Sequence, residues 1–286
     1  MGFSVAKLAP AIGAEVTGID LARPLDDDTM AALRQAWLDH VVLVFPNQEI
    51  DDDQQIAFSR RIGELELIRM AGVELDGKPE IYQATNIGAD GRVLPKDHPL
   101  MQFNKGNMQW HSDSSFKKVP AMASLLRAIE VPDAGADTEF ANLSAAYAAL
   151  SEEMKQRIAG LVAVHDFNWS RRDIENVVMS GDEMDLIPPV QHKLVRTHPE
   201  TGRKSLYLGS HAARIVDMDE AEGRRLLDEL TEFATEPRFT YSHQWRPGDL
   251  VWWDNRCAVH RATRYDINSY RRRLHRTTIA GTGPVT

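Results

Sequence analysis

At 286 residues, with 43% hydrophobic, 26% charged and 7% aromatic side chains, the chain has a globular composition that can bury a sizeable core, which excludes disordered, collagenous and disulfide-scaffold polypeptides. Its formal charge of -9 opposes a phosphate backbone, so nucleic acid is not an expected partner. The single cysteine, Cys257, leaves no internal disulfide and no multi-cysteine metal site, and fits a reducing compartment.

The opening stretch from Met1 to Asp20 carries one lysine and is broken by Gly13 and Gly18, unlike a signal peptide or a membrane span, so the expectation is a cytoplasmic protein with no membrane partner. Within it the alternation from Ala14 to Ile19 reads as a short strand. Asp26, Asp27 and Asp28 stand before an apolar stripe at helical spacing (Met30 to Leu33, Ala36 to Leu38), and Asp51 to Asp53 stand before another (Ile56, Phe58, Ile62). Both triplets read as helix starts rather than metal sites. Between the two helices, Val41 to Phe45 is a continuous apolar run ended by Pro46, a buried strand.

Periodicity fades from Leu67 to Gly106 and again from Asp166 to Pro189, where glycine and proline mark long lids or binding loops. Elsewhere the chain offers short strands: Ala123 to Val131, Thr138 to Ala141, Val190 to Thr197, Ser205 to Gly209, Phe239 to Trp245, Leu250 to Trp253 and Leu274 to Ala280. Helices are expected at Ala145 to Ile158 and, behind an Asp219-x-x-Glu222 capping box, at Glu220 to Ala234. One mixed α/β, mainly β domain over residues 1–286, of sandwich, barrel or jelly-roll type, follows from this pattern.

No phosphate-binding glycine loop, nucleophile elbow or His-Glu-x-x-His is present. Two His-x-acid pairs are: His111-Ser112-Asp113 and His198-Pro199-Glu200. Chance alone supplies about 1.5 such pairs at this composition, so context decides between them. The second runs into Thr201-Gly202 between two strand candidates and reads as a hairpin turn. The first lies among aromatics where the irregular region meets the β-rich part, and a facial metal triad there needs one more histidine from elsewhere. His260 is the best candidate, although a lone histidine near a strand end is commonly structural; Cys257 reads as packing. In the run Arg271-Arg272-Arg273-Leu274-His275-Arg276, a strand would place Arg272, Leu274 and Arg276 on one side, with two guanidinium forks able to grip carboxylates.

The ordered set His111-x-Asp113, Gly135-Ala136-Asp137-Thr138, Trp253-Asp254-Asn255-Arg256, His260 and Arg271-Arg272-x-x-His275-Arg276 resembles the taurine/2,4-dichlorophenoxyacetate dioxygenase family over nearly the whole chain. The resemblance implies a double-stranded β-helix (jelly roll) with flanking helices and long active-site loops, with Fe(II), 2-oxoglutarate as co-substrate and dioxygen. It makes His111, Asp113 and His260 the iron ligands. Thr138 and Arg272 would hold the far carboxylate of 2-oxoglutarate, and Arg276 would meet the substrate anion. The loop before the arginines is one residue longer than in the taurine branch, so Arg271 stands as the alternative to Arg272. Trp110 to Phe116 and Arg196 to Arg203 look more like the aryloxyalkanoate branch, which implies oxidation next to an ether oxygen and release of a phenol. Lys96 and Lys105 are further candidates for a small anionic substrate, and the family implies a homodimer or homotetramer. A taurine, alkylsulfonate or alkyl sulfate dioxygenase, a zinc hydrolase using the same triad, and a cupin-like anion-binding module remain the alternatives.

Overall fold

The two aspartate triplets start helices, as their chemistry requires. In the computed structural model, which describes residues 2–67, 77–174, 187–267 and 269–285, Asp26 caps helix α1 (Asp27–His40) by accepting from Thr29 N, and Asp51 forms a full capping box with Gln54 at helix α2 (Asp52–Arg60). Such caps are worth about 1 kcal/mol each. The expected strand at Val41 begins one residue later: Val41 ends α1 with φ 69, a left-handed conformation costly for a β-branched side chain, and Val42–Phe45 forms strand β3.

Before β3 come β1 (Ser4–Lys7) and β2 (Ala14–Thr17); after α2 come β4 (Tyr82–Thr85), helix α3 (Pro99–Lys105), β5 (Ala123–Glu130) and β6 (Thr138–Asn142). The expected helix over Ala145 to Ile158 is two helices, α4 (Leu143–Ala149) and α5 (Glu152–Ile158), because Leu150 is extended and Ser151 caps anew. Then follow β7 (Val162–His165), β8 (Val190–Lys193), β9 (Val195–Thr197), β10 (Lys204–Leu206), β11 (Ala212–Ile215), α6 (Glu220–Ala234), β12 (Thr240–His243), β13 (Leu250–Asp254), β14 (Ala258–Ala262) and β15 (Arg273–Ile279). The expected loops contain β4 and α3; their stretches at 68–76 and 175–186 lie outside the described residues. No described helix is long and apolar enough to cross a membrane.

The chain is mixed α/β and mainly β. A seven-stranded sheet runs β1-β2-β3-β13-β5-β15-β4, antiparallel except for the β2/β3 pair, and a three-stranded sheet runs β12-β6-β14. Strand alternation divides the large sheet's side chains between two cores. Leu43, Phe45, Leu125, Leu250 and Trp252 face α1 and α2, where Trp252 stacks on Trp37 with centroids 4.7 Å apart. Val42, Val44, Leu126, Val251, Trp253 and Leu274 face the small sheet, where Trp253 meets Phe140. The polar residues of the site sit at the end of this inter-sheet core.

Candidate active site

His111 precedes β5 but is hydrogen-bonded to the small sheet: its N donates to His260 O (3.0 Å) and its O accepts from His260 N (2.8 Å). This two-residue bridge brings together side chains 149 positions apart and sets their rings 4.2 Å between centroids. Asp113 lies opposite, with Oδ1 4.0 Å from His111 Nε2 and Oδ2 3.9 Å from His260 Nε2. One ligand atom from each of the three falls within 4.8 Å of the others, and all three residues are buried.

The surroundings prepare these atoms. His111 Nδ1 lies 2.7 Å from Gln109 O; a carbonyl only accepts, so Nδ1 carries the proton and the Nε2 lone pair is free for a metal. Ser124, on β5, donates to Asp113 Oδ2 (2.7 Å), and Asn255 holds the loop by accepting from Asp113 N and donating to Ser124. Burial drives both imidazoles below their ordinary pKa, His260 well below, so they stay neutral. Burial works the other way on Asp113, yet Arg276, donating to Oδ1 at 2.5 Å, and the hydrogen bond from Ser124 hold its carboxyl well below the usual carboxylate range. Two neutral histidines and one charged carboxylate gathered within 4.8 Å suit a divalent iron of the facial-triad type.

A second set lies beside it. Thr138, at the start of β6, is buried and its Oγ1 accepts from Trp245 Nε1 (3.0 Å), which leaves the hydroxyl proton to donate elsewhere. Arg272 is buried with its Nε unpartnered among the described residues; its guanidinium reaches only Ala136 O (3.5 Å) and the Tyr265 face (5.9 Å). Burial depresses its pKa. A buried guanidinium without a carboxylate is expensive, and a dicarboxylate arriving there would relieve it.

Arg271, the alternative to Arg272, points outward, where Glu130 and Gly91 O take its guanidinium. Arg272 is buried, as Leu274 is two positions on. Lys96 and Lys105, the further candidates for the substrate anion, are both exposed. Residues 198–203 form the turn between β9 and β10, and His198 is buried with its Nε2 3.0 Å from Asp254 Oδ2. His198, Asp254 and Cys257 also have metal-triad spacing, but Asp254 is saturated by Arg256 N, Nε and Nη2 and by His198. The Cys257 thiol is pushed well up by burial and keeps its proton. That cluster is structural.

Sequence reasoning missed Ser124 and Asn255 as anchors of the His-x-Asp loop, and missed Arg171, half-buried between Phe103 and Phe167. No local signal marks Ser124 on an apolar strand or Arg171 in an aperiodic segment.

Comparison with known proteins adds the following. The family profile described as "Taurine catabolism dioxygenase TauD, TfdA family" matches residues 4–278. The chain is 39% identical over 287 residues to the alpha-ketoglutarate-dependent 2,4-dichlorophenoxyacetate dioxygenase of Burkholderia sp. (strain RASC), covering 98% of this chain and 95% of that one. It is 40% identical, with the same coverage, to the (S)-phenoxypropionate/alpha-ketoglutarate-dioxygenase of Sphingobium herbicidovorans. Among solved structures it is similar to AAD-2 in complex with Mn(II) and N-oxalylglycine, with a TM-score of 0.92 and 42% identity over 100% of this chain and 99% of that one.

Proposed function

The chain belongs to the taurine catabolism dioxygenase TauD, TfdA family, and from that premise we propose that it is an Fe(II)- and 2-oxoglutarate-dependent dioxygenase that oxidises an aryloxyalkanoate next to the ether oxygen. The observation that carries this reading is the buried, unpaired Arg272 in the same inter-sheet space as the His111, Asp113 and His260 triad: a cation awaiting an anion beside ligands awaiting a metal. When bound, iron with 2-oxoglutarate and dioxygen supplies the oxidation that yields succinate and carbon dioxide and places a hydroxyl on a substrate C–H bond.

The residues have these roles. His111, Asp113 and His260 would hold the metal through two neutral imidazoles and one carboxylate, and the metal would supply the site at which the 2-keto acid and dioxygen react. Arg272 grips the far carboxylate of 2-oxoglutarate with its fork, and Thr138, its oxygen already engaged by Trp245, donates its proton to the same group. Arg276 holds Asp113 charged and in place. The substrate carbon so oxidised bears both a hydroxyl and an aryloxy group, and it collapses to a phenol plus glyoxylate or a 2-keto acid. The two facing antiparallel sheets support a jelly roll with flanking helices as one domain, and a cytoplasmic homodimer or homotetramer acting on a small anion completes the proposal.

The test is succinate formation with Fe(II), ascorbate, oxygen and 2-oxoglutarate across aryloxyacetates, both hands of aryloxypropionates, taurine and alkyl sulfates, with phenol release followed in parallel. Stoichiometric phenol and succinate from one aryloxyalkanoate is expected. Succinate driven only by a sulfonate or sulfate ester would overturn the substrate, and no oxygen-dependent succinate at all would leave a hydrolase or a binding module.

A further inference from the structure

An aromatic wall leads away from the metal triad. His211 meets His111 edge-on with centroids 6.2 Å apart, Phe116 lies 5.0 Å from His211, and Phe167 lies 4.9 Å from Phe116. At its far end Phe103, on α3, and Phe167 hold the Arg171 guanidinium at 5.0 and 5.1 Å. Phe103 and Phe116 are half-buried, so the wall keeps apolar surface available to a ring.

Arg171 is half-buried and differs from two of the buried arginines, Arg127 and Arg256. Arg127 has Asp52 and Arg256 has Asp254 and Glu200, whereas Arg171 has no carboxylate partner among the described residues and its Nε is buried without a hydrogen bond. Two aromatic rings whose centroids lie 6.2 Å apart flank the charge on adjacent sides, and the unpartnered Nε–H lies in the guanidinium plane, where an anion can accept from it. It is linked to His111 through the His211 and Phe167 rings, and burial depresses its own pKa. The chain also makes room for it: a Cβ on Gly106 would stand 1.2 Å from Arg171 Nη1. Arg276, to which the family resemblance gives the substrate anion, is already occupied by Asp113.

We propose that Arg171 receives the carboxylate of the aryloxyalkanoate, with the half-buried phenylalanines beside it packing the aryl ring, while Arg276 stays with Asp113 at the metal. This assignment rests on the aryloxyalkanoate reading given above. The carbon to be oxidised is bonded directly to the carboxylate carbon, so the cation that fixes the carboxylate also selects which C–H bond faces the ligands.

The experiment is calorimetric titration of the intact protein, loaded with Mn(II) and N-oxalylglycine so that no turnover occurs, with 2,4-dichlorophenoxyacetate and with the neutral 2-(2,4-dichlorophenoxy)ethanol. Arg171→Met is expected to weaken the acid by about 10- to 100-fold and leave the alcohol within about twofold, because only the charged hydrogen bonds are removed. Arg171→Lys should recover part of the loss. Gly106→Ala, which displaces the guanidinium without removing it, should reproduce the acid-selective loss and carries the test if Arg171→Met does not fold. Unchanged acid binding in both variants, or equal loss of acid and alcohol, overturns the assignment alone. A wild-type protein that binds neither compound and forms no succinate with any aryloxyalkanoate overturns the enzymatic reading and this assignment with it.

Discussion

Two buried clusters of this chain start from the same side chains and end in opposite conditions. At Asp254, two carboxylate oxygens receive Arg256 three times and His198 once, and Arg256 goes on to Glu200 at 2.5 Å, so every charge is answered from within. At His111, Asp113 and His260, two Nε2 atoms face a carboxylate at 3.9 to 4.0 Å, too far to hydrogen-bond, and Arg272 nearby has no acid partner among the described residues. Both clusters contain a His, an Asp and an Arg, and both have metal-triad spacing. What separates a structural cluster from a working site is unspent bonding capacity, not composition or spacing.

The sharpest way to break that contrast is His111→Ala. Its backbone bridge to His260 survives, so the thermal midpoint should stay within a few degrees while succinate formation falls at least about 1000-fold, some 4 kcal/mol in the barrier. Arg256→Met should do the reverse. It leaves Asp254 charged and buried, costing about 3–5 kcal/mol in a denaturant melt, with kcat of the folded fraction within about twofold. Were it instead to abolish turnover at full stability, the assignment of the two clusters would have to be exchanged. Arg272→Met should raise the KM for 2-oxoglutarate by about 100-fold and leave the protein as stable or slightly more so, because an uncompensated buried cation is removed.

The smallest effect concerns pH. His165, fully buried against Tyr207 and His192, has its pKa pushed down to about 3 by burial and by neighbouring His192. A histidine whose pKa is depressed on folding contributes nothing above its unfolded value near 6.5; below it the unfolded chain binds a proton that the folded one refuses, so stability falls from about pH 6.5 toward 3. At pH 5 this amounts to about 2 kcal/mol. His165→Phe, which keeps a ring against Tyr207, should flatten the acid limb of a stability-against-pH curve over that window while leaving succinate formation at pH 7 unchanged.

Much of this was legible in the residues, for reasons that are local. Capping aspartates and the two-faced apolar runs at Val42–Phe45 and Leu250–Asp254 fix helix starts and strand faces within a few positions. His111, Asp113 and His260 were named from motif order, and the structure brings them together. Long-range chemistry was not legible. Nothing near Leu143 announces the break at Leu150 and Ser151, and β4 hides in a stretch punctuated by glycine and proline because its strand character comes from pairing with β15. Choosing Arg272 over Arg271 needed the strand register, which slips between Arg273 and Leu274. Lys96 and Lys105 were chosen by proximity in sequence, which says nothing of where a side chain ends up.

The placement of β3 against β13 governs when this protein can become itself. Leu43 pairs with Trp252, and His111 meets its bridge partner only at residue 260, so the centre of the large sheet and the third member of the triad both wait on β13 and β14. During synthesis α1, α2 and β3 are therefore on hand long before their apolar strand partner emerges, and must be kept from other partners meanwhile. An incomplete copy released early would carry His111 and Asp113 without His260. The triad is in this way assembled only once β14 has emerged.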